Sequence, residues 1–163
     1  MASVLPESSC FADAPLIAQD VARGVTRLFF RGDMFALCEV PLPNGRRADM
    51  MALDSGGLLT IVEIKVSRAD LLGDQKWPEY LDYCDRFFWA VPRGFALDLF
   101  DGAPLQPECC GLIVADRYDA AVVREPAMRK LAPARRKAET LRFARRAARR
   151  LAGDLGPGLA GLD

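Results

Sequence analysis

Residues 58–67 have the sequence Leu-Leu-Thr-Ile-Val-Glu-Ile-Lys-Val-Ser, and they decide the predicted fold. The run is mostly apolar and rich in β-branched residues, a composition typical of a buried β-strand. Because side chains alternate between the two faces of a strand, Glu63 and Lys65 share a face with Leu59 and Ile61. The pattern therefore predicts two charged groups that project side by side from an otherwise apolar strand.

Two further segments with strand character precede this one, at residues 35–42 and 47–53. Residues 43–45, Pro-Asn-Gly, and residues 54–57, Asp-Ser-Gly-Gly, are typical turn sequences. Turns this short join strands that lie antiparallel to each other. The simplest interpretation is a three-stranded meander that ends with residues 58–66.

Helical patterns lie on both sides of these strands. Between residues 15 and 30 the apolar residues recur every three or four positions, which predicts an amphipathic helix with Asp13 as its cap. After the third strand, Ser67 and Asp70 have the spacing of a capping box, so a helix should follow directly. Pro78 either kinks this helix or begins a second helical piece.

The second half of the chain adds strands and a long helix. Residues 86–91 have an aromatic strand pattern, residues 111–115 resemble another buried strand, and residues 122–123 indicate an edge strand. Residues 134–151 form a helical pattern rich in Ala and Arg with a thin apolar stripe. The element order is α-β-β-β-α-β with extra strands and a terminal helix. It predicts an α/β fold in which a central mixed sheet is flanked by helices.

Length and composition favour one compact domain. The chain has 163 residues, 51% of them hydrophobic, and no repeat or low-complexity linker divides it. We predict a single domain over residues 1–163, with its core at about 14–152 and a frayed tail at 153–163. Lys and Arg together number 22, as do Asp and Glu, which argues against a uniformly basic nucleic-acid coat. Any charged binding surface must therefore be local.

The chain contains no histidine, and this absence excludes several classes of enzyme. Serine–histidine and cysteine–histidine nucleophiles, histidine-containing metalloproteases and histidine-ligated zinc deaminases are all ruled out. The five cysteines include no Cys-x-x-Cys pair, so we expect free thiols rather than a structural zinc site. Carboxylates, Lys, Arg and Tyr must therefore carry any chemistry.

The sequence offers no membrane or secretion segment. No stretch approaches the roughly eighteen apolar residues that span a bilayer, and the first basic residue is Arg23. A secretory signal would need an earlier positive charge. We expect a cytoplasmic protein with no membrane partner.

Asp49 lies fourteen residues before Glu63, on the strand predicted to pair with it, and Lys65 follows Glu63 by two. Pairing of the strands would bring the two carboxylates together. Two carboxylates and a nearby carbonyl, here that of Ile64, form the all-oxygen environment that Mg²⁺ prefers. A bound ion would stabilise a phosphodiester transition state, while Lys65 could orient the attacking water or neutralise the phosphate. The spacing predicts an Mg²⁺ site, in which Mn²⁺ could substitute, for phosphodiester hydrolysis.

A pair of solvated surface charges is the alternative, because Glu-x-Lys is common on exposed strand faces. The context works against that alternative. Glu63 and Lys65 lie inside an apolar strand, and Asp49 is flanked by Ala48 and Met50. The pattern alone leaves both interpretations open.

Residues 47–49 (Arg-Ala-Asp), residues 62–67 (Val-Glu-Ile-Lys-Val-Ser) and the helix after them resemble the PD-(D/E)xK, restriction-endonuclease-like superfamily of nucleases. The superfamily name expects Pro before the first Asp, where this chain has Ala48. A closer resemblance, over about residues 14–150, is to the MmcB-related family of bacterial DNA-repair proteins. The segments that carry it are Glu63 through Asp70, Trp77-Pro78, Tyr80, residues 83–86 (Tyr-Cys-Asp-Arg) and residues 90–92 (Ala-Val-Pro).

The resemblance implies a restriction-endonuclease-like αβββαβ core, a metal site built on Asp49, Glu63 and Lys65, and a role linked to DNA damage. Relatives often add a further acidic residue, and Glu39, on the strand beside Asp49, is a candidate for it. A surface charge on an edge strand is the alternative for Glu39. Gln75 follows the Glu-x-Lys strand and is similar to a Gln that some relatives place near the DNA phosphate.

Half of the Lys and Arg residues fall between residues 124 and 150, against only Glu125 and Glu139. A basic helix of this kind can follow a phosphate backbone with sequence-independent affinity. A solvated helix face or an acidic partner protein is the alternative. The candidate nucleic-acid contacts are Arg135, Arg136, Arg142, Arg146 and Arg149.

Four aromatic residues could also approach nucleic acid, namely Trp77, Tyr80, Tyr83 and Trp89. For the tryptophans the competing roles are base stacking and buried packing, and packing is the commoner one. The tyrosines resemble those that some relatives place near the DNA phosphate, but core packing with a hydrogen-bonded hydroxyl is the commoner role. We therefore expect all four to belong to the core.

Three functions are compatible with these observations. The first is a DNA-repair protein that acts as an Mg²⁺-dependent phosphodiester hydrolase, or nuclease, on DNA. The second is a catalytically weak or inactive DNA-binding module with the same fold. The third is a protein-interaction domain that uses the basic helix. A homodimer, a DNA-repair protein as partner, and RNA in place of DNA are all compatible with the sequence.

Overall fold

The structure, a computed structural model, describes residues 16–154. In this part of the chain, six strands form one sheet and lie in it in chain order. They are β1 (Met34–Pro41), β2 (Arg47–Asp54), β3 (Leu59–Ile64), β4 (Arg86–Pro92), β5 (Gly111–Ala115) and β6 (Ala120–Arg124). The pairs β1–β2, β2–β3 and β5–β6 are antiparallel, and β3–β4 and β4–β5 are parallel. The predicted α/β fold with a mixed sheet is confirmed.

The described residues also form three α-helices and three 3₁₀ helices. The α-helices are α1 (Ala18–Arg31), α2 (Arg68–Gly73) and α3 (Pro133–Asp154). The 3₁₀ helices are Trp77–Tyr83, Leu97–Asp101 and Ala103–Leu105. None of the helices between residues 16 and 154 is long and apolar enough to cross a membrane. Of the tail predicted at residues 153–163, the structure describes only residues 153 and 154, which are the last two residues of α3. The rest of that predicted tail lies outside the described residues.

α1 begins later than predicted. Its first residue is Ala18, because Ile17 has an extended backbone and donates its N–H to the carboxylate of Asp20 at 3.2 Å. Asp20 thus caps the helix from its first turn, where its negative charge also interacts favourably with the helix dipole. Asp13, the predicted cap, lies outside the described residues.

α2 follows β3 directly, as predicted. Ser67 is its N-cap, and the Ser67 hydroxyl accepts a hydrogen bond from the N–H of Asp70 at 3.1 Å. The helix ends at Gly73, and Pro78 lies in the first turn of the 3₁₀ helix Trp77–Tyr83. Of the two predicted possibilities, Pro78 therefore begins a second helical piece and does not kink the first.

The two faces of the sheet carry separate apolar cores. α1 covers one face, where it packs on Met50, Ala52, Val62, Ile64, Phe88, Ala90, Ile113 and Ala115. The other core contains Leu59, Ile61, Trp77, Tyr80, Tyr83, Phe87, Trp89 and, from α3, Phe143. The two faces predicted for β3 are thus confirmed, and so is the burial of the four aromatic side chains in question. Burial of each large apolar side chain contributes about 1.5–3 kcal/mol.

Asp85, at the start of β4, is a buried carboxylate with a complete set of partners. It accepts hydrogen bonds from the N–H groups of Leu59 and Leu131 and pairs with both terminal nitrogens of Arg136. The Arg136 guanidinium also donates to the carbonyl of Gly57 at 2.7 Å. Burial raises the pKa of Asp85, but Arg136 and the backbone N–H groups lower it more, so it lies below its ordinary value. We call this group the Asp85 clasp.

The clasp attaches the N-terminal half of α3 to the β2–β3 turn and to the start of β4. A second contact attaches the far end of the helix. The Arg150 guanidinium donates to the carbonyls of Cys38 and Glu39 in β1. α3 is therefore held at both ends and runs across the sheet from the β2–β3 turn to β1.

Substitution of Asp85 by Asn should lower the free energy of unfolding by about 3–5 kcal/mol, because it leaves the partly buried Arg136 without its counter-ion. Urea denaturation measures this change. Because the pKa of Asp85 is lowered in the folded protein, the difference should shrink as the pH falls below the ordinary value of 3.8. The matched control is Asp101→Asn, whose carboxylate is 72% exposed beside Arg124 and should cost less than about 1 kcal/mol. Equal losses in both variants would contradict the role of the clasp.

Candidate active site

The strands β2 and β3 separate at one end, and two carboxylates bind the backbone there. Regular pairing runs from Leu53 opposite Leu59 to Met50 opposite Val62. At the next position the N–H of Ile64 donates to Oδ2 of Asp49 at 2.8 Å, and the N–H of Asp49 donates to Oε1 of Glu63 at 3.1 Å. Each side chain thus satisfies a backbone group that the strand pairing no longer uses. The exchange holds the two carboxyl groups next to each other, as the sequence predicted.

Lys65 completes this group and is only 6% exposed. Its backbone N–H donates to the carbonyl of Ala90, which keeps it attached to β4. Its Nζ lies 3.9 Å from Oε2 of Glu63 and 2.8 Å from Oδ2 of Asp74. Asp70 is a third neighbour, with Oδ1 at 3.9 Å from Nζ. The structure therefore brings Asp49, Glu63 and Lys65 together and adds two carboxylates from α2 and its C-terminal end.

Carboxylates outnumber cations at this site, because three carboxylates lie within 4 Å of the Lys65 ammonium group and Asp49 lies beside Glu63. Burial raises the pKa of Glu63 from 4.5 to about 8, and the nearby charge of Asp49 adds to the shift. Burial also raises the pKa of Asp49 above its ordinary value. For Lys65, burial lowers the pKa, but the hydrogen bond and charge of Asp74 raise it more, so the net shift is upward. The electrostatics of the site therefore favour a bound cation.

The donor atoms suit a hard divalent cation. Oδ1 of Asp49 accepts no hydrogen bond from the described residues, and Oε2 of Glu63 approaches Lys65 only at the distance of an ion pair. Between residues 16 and 154, no three Cys, Asp or Glu side chains are grouped so that they alone could hold a metal. Asp49 and Glu63 would therefore hold the ion together with the Ile64 carbonyl and water, which is the coordination that Mg²⁺ commonly has.

Glu39 and Gln75 lie near this site in the chain but do not join it. Glu39 is opposite Asp49 on β1, with a left-handed backbone, and its carboxylate is 70% exposed and 3.7 Å from Arg47. Gln75 is exposed and follows Asp74. Neither side chain forms a hydrogen bond with the carboxylate pair or Lys65. Their roles at the site stay predictions.

The arginines predicted to bind nucleic acid separate into two groups. Arg136 belongs to the Asp85 clasp, so its guanidinium is already engaged inside the protein. The other four lie elsewhere on α3, three of them exposed and one half-buried: Arg135, Arg142, Arg149 and Arg146. The nucleic-acid prediction stays open for these four.

Sequence reasoning missed Asp74 and considered Asp70 only as a capping residue. A usable indication was present, because α2 begins three residues after Lys65 and must lie over the end of β3. Acidic side chains on that short helix, or just after it, are therefore close to any group at the strand end. The partnership of Asp85 with Arg136, fifty-one residues later, had no comparable indication in the sequence.

The element order and the mixed sheet are consistent with a restriction-endonuclease-like core. The chain belongs to the MmcB-like DNA repair protein family, whose model matches residues 10–155. The predicted resemblance to this family is confirmed, and membership supports a role in DNA repair. A solved structure of a protein of unknown function from Silicibacter pomeroyi is similar, with 43% sequence identity and a TM-score of 0.78. The match covers 91% of this chain and 97% of that one. No curated protein matches the chain.

Substitution of Glu63 by Gln should stabilise the protein at alkaline pH. The folded protein binds a proton at Glu63 more tightly than the unfolded chain does, so wild-type stability should fall as the pH rises from 4.5 to about 8. Gln keeps the oxygen that accepts the Asp49 N–H and has no proton to lose in this pH range. The variant therefore avoids the loss of stability, which amounts to a few kcal/mol at about 1.4 kcal/mol per unit of pKa. Urea denaturation at several pH values measures the difference.

Glu79→Gln is the control for this prediction and should show the opposite sign. The pKa of Glu79 is lowered by its hydrogen bond to Arg46, so its charged form supports the folded state. At pH values above the ordinary pKa of 4.5, loss of that charge should cause a small decrease in stability. A pH-independent difference between wild type and Glu63→Gln would contradict the raised pKa of Glu63.

Proposed function

We propose that this protein is an Mg²⁺-dependent nuclease that hydrolyses phosphodiester bonds of DNA during DNA repair, with Mn²⁺ able to replace Mg²⁺. The observation that carries the proposal is the convergence of Asp49, Glu63 and Lys65 at the separated end of β2 and β3. Carboxylates that bind no metal are seldom buried next to each other, because their charges repel. Membership in a DNA-repair family favours DNA as the substrate.

The same observations support assignment to the PD-(D/E)xK superfamily. The αβββαβ core, the carboxylate of Asp49 on β2 and the Glu-x-Lys pair on β3 all fit its pattern. Ala48 stands where the pattern has Pro. Because Ala48 is fully buried and Asp49 forms its hydrogen bonds without Pro, the substitution leaves the carboxylate pair intact.

Each residue of the site has a distinct role in this proposal. When bound, a divalent ion supplies stabilisation of the developing phosphate charge and acidifies the attacking water. Asp49 and Glu63 hold that ion, with the carbonyl of Ile64. Three carboxylates lie within 4 Å of the Lys65 ammonium, an arrangement that favours its charged form. Lys65 therefore orients water or neutralises phosphate as a cation, and does not act as a base.

A DNA-binding module with little hydrolytic activity is the second candidate. The hydrogen bond from Lys65 to Asp74 favours it, because this 2.8 Å contact already engages the ammonium group inside the protein. A lysine held in this way is less available to a water or a phosphate. Both candidates predict DNA binding, and only the first predicts cleavage.

The test is cleavage of labelled single-stranded, duplex, flapped and branched DNA with Mg²⁺, Mn²⁺ or EDTA. Wild type should cut at least one substrate when a metal is present, and Asp49→Ala and Glu63→Ala should reduce the rate at least about 100-fold, since the metal carries much of the catalysis. Asp98→Ala removes an exposed carboxylate and should leave the rate unchanged. Full activity in Asp49→Ala would show that the site is wrong. Absence of cutting by wild type on every substrate would favour the second candidate.

Metal binding can be measured separately from cleavage. Mg²⁺ should raise the free energy of unfolding of the wild type by about 2.7 kcal/mol at a concentration one hundred times its dissociation constant. At a fixed Mg²⁺ concentration the effect should increase as the pH rises through about 8, where Glu63 loses its proton. Glu63→Gln should lose most of it, and Asp98→Ala should retain it. An equal response of wild type and Glu63→Gln would place the ion elsewhere.

A further inference from the structure

Four arginines lie along one side of α3, and they form what we call the arginine stripe: Arg135, Arg142, Arg146 and Arg149. Their spacing of seven, four and three residues places them within a sector of about 60° on a helix of 3.6 residues per turn. The stripe is about 21 Å long at 1.5 Å per residue. The net charge of the chain is zero. The alignment of four arginines on one side of a helix is therefore a local excess of positive charge and not a property of the whole chain.

The N-terminal half of the stripe is held in place by the protein. Glu139 is a carboxylate only 2% exposed, and its partners are Arg142 and, at 3.6 Å, Arg135. The Arg135 guanidinium also lies over the ring of Tyr83, 4.8 Å from its centroid. This side of α3 therefore faces the 3₁₀ helix Trp77–Tyr83. Fixed guanidinium groups lose less conformational entropy when they bind an anion.

The stripe leads towards the carboxylate pair. At its far end, Arg150 binds the carbonyl of Glu39. The residues on either side of Glu39, Cys38 and Val40, pair with Met50 and Ala48, which flank Asp49. The 3₁₀ helix approaches the same place, because the Tyr80 hydroxyl donates to the carbonyl of Arg47 at 3.1 Å. A chain of phosphates bound along the stripe would thus arrive next to the candidate active site.

We propose that the arginine stripe binds the phosphates of one DNA strand and directs that strand to Asp49 and Glu63, with Glu139 as the residue that positions Arg135 and Arg142. Arginine binds phosphate through two parallel hydrogen bonds, which suits a surface that must follow a backbone. Its length corresponds to the axial rise of about six nucleotides of duplex DNA, at 3.4 Å each. The inference deepens the proposed function, since it names the surface by which the substrate reaches that site.

The test compares two double variants that each remove two positive charges. Arg146→Gln with Arg149→Gln alters the stripe, whereas Arg23→Gln with Lys137→Gln alters exposed cations on α1 and on the other side of α3. Gln has a helix propensity close to that of Arg and Lys, so the helices should be retained. Fluorescence anisotropy of a labelled DNA single strand and of its duplex, in EDTA over a salt series, measures binding without cleavage.

The stripe variant should bind at least about tenfold more weakly, because even one charge-assisted contact is worth about tenfold or more. The slope of log K against log salt should become shallower by about 1.4 on the single strand or about 1.8 on the duplex. The control variant should stay within about twofold of wild type. Equal losses in the two variants would overturn the proposal in favour of diffuse electrostatics, and an unchanged stripe variant would overturn it outright.

Two additional measurements distinguish a loss of charge from a structural defect, and DNA from an acidic protein. Arg146→Lys with Arg149→Lys keeps both charges and should restore the wild-type salt slope. If it does not, the loss in the Gln variant is structural and the proposal fails. Poly-glutamate at equal charge should compete far less well than DNA, and equal competition would instead indicate an acidic protein partner.

The outcome is separable from that of the nuclease test. Binding through the stripe with no cleavage under any condition would leave the stripe in place and remove the proposed activity. If wild type cleaves DNA but the stripe variant binds DNA as well as wild type does, the proposed activity is supported and the proposed role of the stripe is rejected.

Discussion

β3 is buried along its whole length and yet contains Glu63 near its end, with the buried Lys65 directly after it. The surrounding structure compensates for these two charges. A buried carboxylate or ammonium group is tolerated only when hydrogen bonds or opposite charges replace its water. Here the replacement comes from the backbone of β2, which donates to Glu63, and from Asp74 next to Lys65. The separation of β2 from β3 and the immediate start of α2 are the geometric means of that compensation.

The compensation is incomplete on the negative side. Backbone N–H groups and one ammonium do not balance the carboxylates, and burial with mutual repulsion keeps the pKa of Glu63 far above that of an exposed glutamate. Groups with perturbed pKa values cluster at functional sites, where a bound ligand can balance their charge. The same imbalance that disfavours the ionised protein alone would favour the binding of a divalent cation.

The Asp85 clasp differs from the carboxylate pair, because its buried carboxylate has a full set of partners and its charge is balanced by Arg136. It attaches α3 to the β2–β3 turn, and Arg150 attaches the helix to β1. The orientation of the basic helix relative to the carboxylate pair therefore depends on two arginines, Arg136 and Arg150, that bind other parts of the protein. The arginine stripe lies along the same helix.

Sequence patterns alone predicted most of the fold. The period of two in β3, the turn sequences on either side of β2 and the cap at Ser67 are local properties, and local sterics and hydrogen bonding decide them. The pairing of Asp49 with Glu63 was also within reach, because a short turn leaves little choice of register between two strands. The start of α1 was missed, since Asp20 caps the helix from within its own first turn.

By itself, then, the sequence determined the order of the elements, the faces of β3 and the identity of the carboxylate pair with its lysine. Only the tertiary structure decided that Glu39 faces Arg47, that Asp74 holds Lys65, and that Arg136 is a core residue of the clasp and not a surface cation. These outcomes depend on contacts between residues far apart in the chain or on a single backbone angle. No periodic pattern records such contacts, because periodicity reports which face a side chain occupies and not which partner it meets there.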